Sequence, residues 1–113
     1  MKAKGLIKHI KQFNGATLDN NGDILFLKSG YMVSAKGHEK QLKLHTLNDK
    51  LIKDYLRLAK KLGGYVGLWY DNSVLYIDIS YCESTLESAF AVGRKNRQKA
   101  IYDNANATTI YLK

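Results

Sequence analysis

The sequence predicts an α+β domain, with an antiparallel sheet built from hairpins and two to three helices packed on one face. Three observations lead there. Residues 48–62 carry apolar side chains at helical spacing. Several short runs rich in β-branched and aromatic residues are divided by turn-forming Asn, Asp and Gly. The segments also follow one another as helix, several strands, helix, hairpin, helix, hairpin, an order that suits a sheet with helices on one side.

Each element has its own signal. Gly5 to Phe13 reads as a short helix, with Leu6, Ile7, Ile10 and Phe13 at helical intervals and Asn14-Gly15 as its stop. Ala16 to Asp19 and Asp23 to Lys28 flank Asn20-Asn21-Gly22 and read as a hairpin. Tyr31 to Ala35 and Gln41 to His45 read as further strands. In the helix from Asn48 to Leu62, Leu51, Ile52, Tyr55, Leu58, Ala59 and Leu62 share one face. Asn48 caps its start and Gly63-Gly64 ends it. Tyr65 to Tyr70 and Val74 to Ser80 form a hairpin around Asp71-Asn72-Ser73. Along the second of these strands Leu75, Ile77 and Ile79 share one face, and Tyr76, Asp78 and Ser80 the other. Ser84-Thr85-Leu86-Glu87 fits a capping box, opening a helix with Leu86, Ala89, Phe90 and Gly93 inward. Ala100 to Tyr102 and Thr108 to Leu112 make a last hairpin.

The chain has 113 residues, which suits a single domain over residues 1–113 with one core. Its one cysteine, Cys82, allows no internal disulfide and no cysteine-rich zinc site, which suits a reducing cytoplasm. No signal peptide and no membrane-spanning apolar run is visible. The net charge of +8 comes in segments. Lys2, Lys4, Lys8 and Lys11 have no acid among them, and neither do Arg94, Lys95, Arg97 and Lys99. Residues 36–61 hold eight Lys/Arg against Glu39, Asp49 and Asp54. Such segments attract polyanions, or serve as solvated helix faces.

Catalytic signatures are missing. His9, His38 and His45 are scattered, and no Cys-x-x-Cys or His-Glu-x-x-His occurs, so neither a metal nor another cofactor is expected. Cys82 precedes a helix start but has no assignable base. Asp78 and Glu83 are candidates for an acid–base pair, with nothing in the sequence to bring them together. No phosphate-cradling loop is present. The strongest binding candidates are Arg94, Lys95, Asn96, Arg97 and Lys99, helped by Lys36, Lys40 and Lys43. Cations at a helix end also complement the helix dipole. Aromatic residues such as Trp69, Tyr70 and Tyr76 offer either stacking surfaces or core packing.

Residues 29–34 (SGYMVS), 64–72 (GYVGLWYDN), 75–80 (LYIDIS) and 93–103 (GRKNRQKAIYD) resemble small uncharacterised proteins of bacterial phages and mobile elements. The resemblance spans about residues 29–112 and brings no catalytic residues. It implies a bacterial cytoplasmic setting and an accessory role such as inhibition of a host defence nucleoprotein, as anti-CRISPR proteins perform. Many such inhibitors are acidic mimics of nucleic acid, whereas this chain is basic. The expectation is therefore a non-enzymatic binding protein acting on a host protein or nucleoprotein. Direct binding of DNA or RNA and a small nuclease or modifying enzyme are the alternatives.

Overall fold

The computed structural model describes residues 2–112. Its sheet is organised by the longest strand, β5 (Val74–Glu83), whose ten residues reach partners on both sides. On one side β5 pairs with β4 (Tyr65–Asp71), which in turn pairs with β1 (Gly15–Leu18). On the other side its two halves serve different strands. Residues 80–83 pair with β2 (Tyr31–Ser34), and residues 75–77 with β3 (Lys40–Leu42). The path continues from β2 to β6 (Ala100–Asp103) and β7 (Thr108–Tyr111). The order is β1-β4-β5-β2-β6-β7 with β3 beside β5, and each of these pairings is antiparallel.

Strand alternation and register fix which side chains meet the helices. Leu75, Ile77 and Ile79 of β5, Val66 and Leu68 of β4 and Leu18 of β1 share a face. They pack with Ala3, Leu6 and Ile10 of helix α1 (Ala3–Phe13) and with Ile52, Tyr55 and Ala59 of helix α2 (Asp49–Leu62). Val33 lies opposite Tyr81, two residues beyond Ile79, so it points to the same face. There it packs with Ile101 of β6 and Ala89 of helix α3 (Leu86–Lys95). All three helices therefore pack against one face of the sheet. No helix among the described residues is long and apolar enough to cross a membrane.

The caps follow from local chemistry. In α2 the Asn48 side chain accepts a hydrogen bond from the Leu51 amide at 2.9 Å, and Gly63 closes the helix at φ 75°. In α3 the cap falls one residue later than the capping box predicts. Strand β5 runs on to Glu83, and Thr85 rather than Ser84 accepts from the Ser88 amide at 3.1 Å. Glu83, not Glu87, supports this turn by accepting from Ser88 Oγ at 2.9 Å. Leu86 is consequently exposed on the first turn, while Ala89 and Gly93 face inward.

Two predicted strands are shorter than expected. Asp23 to Lys28 begins a hairpin, with Ile24 bridging Leu18 and the Leu25 amide bonding the Thr17 carbonyl at 2.8 Å. It then peels away from β1 and forms no strand beyond that bridge. Gln41 to His45 is a strand only as far as Leu42. A 3-10 turn over Leu44–Thr46 then buries Leu44, and Leu47 follows it into the core.

The sheet is strongly curled. In flat geometry β4 and β7 would lie about 19 Å apart, four strand spacings away. Yet the rings of Trp69 on β4 and Tyr111 on β7 have centroids 6.1 Å apart. Lys99, just before β6, reaches Asp71 at the end of β4 with a 3.0 Å ion pair. Curvature of this kind makes the face away from the helices concave.

Candidate functional site

Alternation along β5 sends Tyr76, Asp78 and Ser80 to the concave face. Register sets Gly67 and Trp69 opposite Asp78 and Tyr76, and Thr17 opposite Gly67. From the other side come Ser34 opposite Ser80, and Met32 opposite both Cys82 and Tyr102. Residues 24–27 and the end of α1 supply the remaining wall. Together they enclose a groove of about 620 Å³. Small-molecule sites commonly measure roughly 300–1,000 Å³ and combine apolar walls with a few convergent polar groups.

Asp78 is the polar centre of this groove. Its Oδ2 accepts from Ser34 Oγ at 2.5 Å and its Oδ1 from Ser80 Oγ at 2.7 Å. The carboxyl lies deep, though the residue keeps some contact with solvent through the groove. Burial pushes its pKa up to about 6, against the lowering effect of the two serine hydrogen bonds, with Glu39 adding a further push upward. No ion pair reaches it among the described residues.

Gly67 makes room for this arrangement. A Cβ there would run into Ser80 Oγ and Asp78 Oδ1, so only glycine lets β4 pass directly beside the carboxyl. At one end of the groove Trp69 is held between neighbours. Tyr76 lies 5.2 Å away between ring centroids, and Lys99 Nζ sits 5.5 Å from the Trp69 centroid. The hydrogen bond to Asp71 raises the pKa of Lys99. At the lip, His9 packs on Phe13 at 4.6 Å and on Phe26 at 6.3 Å between ring centroids. Both phenylalanines are largely exposed, at 59% and 76%.

The residues that the sequence nominates for binding are distributed over several surfaces. Arg94 and Lys95 are exposed at the end of α3, with the Arg94 guanidinium 5.3 Å from the Phe90 ring centroid. Arg97 is exposed in the following turn at φ 55°. Asn96 has a structural task, since its Nδ2 donates to the Ser34 carbonyl at 2.9 Å. Lys99 belongs to the groove end described above. Lys40 lies toward α2, where it helps to lower the pKa of Asp54, after the larger effect of Lys50. Lys36 and Lys43 are exposed on the segments flanking β3.

Asp78 and Glu83 are not an acid–base pair. They stand five residues apart on β5 and therefore point to opposite faces. Cys82 lies on the exposed concave side, 3.8 Å from the Ser29 carbonyl and 3.7 Å from Asn104 Nδ2. No group of three or more His, Cys, Asp or Glu side chains among the described residues is placed to hold a metal ion.

Sequence reasoning sets Ser80 on the same face as Asp78 but does not single out Ser34, Gly67 or Met32 as its surroundings. One signal for them is present. A glycine in mid-strand, as at Gly67, marks a close approach, and the alternation of β5 sets Asp78 and Ser80 on one face. No known protein family, no curated protein and no solved structure matches the chain.

Proposed function

We propose that the chain is a non-enzymatic binding protein whose ligand site is the concave groove. The observation that carries this reading is Asp78, a deep carboxyl facing the groove with no cation beside it among the described residues. Groups with pKa values displaced by burial, set in a cleft, concentrate at functional sites. Catalysis is not favoured, because the carboxyl is bonded to two serine hydroxyls and no nucleophile–base–orienter set surrounds it. Action on a host defence nucleoprotein, which the resemblance implies, would be the biological setting of such binding.

A second reading, direct binding of nucleic acid, is favoured by a different observation. Arg94, Lys95 and Arg97 are exposed close together in sequence, and none forms an ion pair among the described residues. Phosphate contacts of this type give affinity without sequence information.

Amide chemical-shift mapping tests both. Titration with small apolar probes carrying positive, neutral or negative heads should move the amides of Ser34, Gly67, Ser80 and Tyr102. If no probe moves them, the groove reading fails. If an oligonucleotide moves residues 94–99 instead, the second reading takes its place.

A further inference from the structure

We propose that the groove selects an organic cation, a small molecule with a primary ammonium head on an apolar body, held with the head against Asp78. This rests on the groove being the ligand site. The argument is one of complementarity. The carboxyl has two oxygens, each able to accept more than one hydrogen bond. One bond to each is supplied, by Ser34 and Ser80, both donating. Asp78, Ser34 and Ser80 all line the groove, so the remaining acceptor capacity is within reach of a ligand there.

The protein's own cations do not neutralise this carboxyl. Lys99, the lysine at the groove end, is engaged with Asp71 at 3.0 Å and with the Trp69 ring. An ionised carboxyl without a counter-charge in such a place is unfavourable, and a ligand cation relieves it. An anionic ligand would meet like charge at the floor. The walls suit the apolar body, with Met32, Ile24, Leu25 and Leu27 lining the same groove. The volume of about 620 Å³ fits a molecule of modest size.

The test compares hexylammonium, hexan-1-ol and hexanoate, which share an apolar chain and differ in the head group. Affinities are read from amide shifts at Ser34, Gly67 and Ser80 in the full chain at neutral pH. Hexylammonium should bind at least about tenfold more tightly than hexan-1-ol, the ratio expected for one hydrogen bond to a charged group. Asp78→Asn, which keeps the shape, should remove that advantage and leave hexan-1-ol unchanged. Glu87→Gln, at an exposed carboxyl on α3, should leave the advantage intact. If the three probes bind the groove equally, or if Asp78→Asn retains the preference, the cation assignment is overturned and the groove reading survives. If no probe reaches the groove amides, both are overturned.

Discussion

At the scale of single residues, the groove depends on what is absent as much as on what is present. Gly67 has no side chain, and that absence leaves space for the Ser34–Asp78–Ser80 hydrogen bonds. Gly67→Ala places a methyl group against Ser80 Oγ and Asp78 Oδ1. Overpacking of this kind costs about 1–3 kcal/mol. Denaturant unfolding of the variant should show a loss in that range, together with shifted amides at Ser80 and Asp78. Unchanged stability and unchanged shifts would mean that β4 does not press on the carboxyl. The placement of Asp78 is readable from the sequence, since the alternation of the strand sets it with Tyr76 and Ser80 on the face away from Leu75, Ile77 and Ile79. Its partner Ser34 is not, because it is 44 residues away and arrives only through the pairing of β2 with β5.

At the scale of elements, legibility follows how local the determinants are. Helix α2 is readable almost to the residue, because its apolar stripe, its Asn48 cap and its Gly63 stop all lie within the segment. The β4–β5 hairpin is readable for the same reason, its turn chemistry being contiguous with its strands. The start of α3 is not, since the cap depends on where β5 ends, and β5 is prolonged by pairing with β2. The shift has a measurable consequence. Thr85→Ala should cost about 1 kcal/mol through the lost bond to the Ser88 amide. Ser84→Ala should fall within about 0.5 kcal/mol of wild type. The reverse pattern in denaturant unfolding would restore Ser84 as the cap. Asp23 to Lys28 keeps only the single bridge of Ile24 to Leu18 and does not continue as a strand. That failure matters to the site, because the released segment becomes a wall of the groove.

At the scale of the whole molecule, charge is divided between two sides. Lys4, Lys8 and Lys11 of α1, Lys50, Lys53, Arg57, Lys60 and Lys61 of α2, and Arg94 and Lys95 of α3 are exposed on helices that all cover one face of the sheet. The opposite, concave face carries the deep carboxyl of Asp78. Most of the net charge of +8 therefore lies on the helices, whose only acids are Asp49, Asp54 and Glu87. Composition alone points to polyanions, while the curl of the sheet gathers a groove around a carboxyl. Neither the curl nor the register that centres it on Asp78 can be read from a linear pattern of charges.

The central claim, that the groove floor is a carboxyl held out of water, is tested most directly by comparing the stability of wild type and Asp78→Asn across pH. In the folded chain Asp78 titrates at about 6, against 3.8 for an ordinary aspartate. Its contribution to stability is therefore full below the ordinary value and is lost as pH rises through 6. The displacement corresponds to about 3 kcal/mol at neutral pH. Asp54, whose pKa is lowered chiefly by Lys50, moves oppositely but is common to both proteins and cancels in the difference. Denaturant unfolding should find Asp78→Asn more stable than wild type by about 3 kcal/mol near pH 7.5, with the gap closing near pH 4. A gap that is absent at both pH values, or one that widens toward acid, would contradict the account.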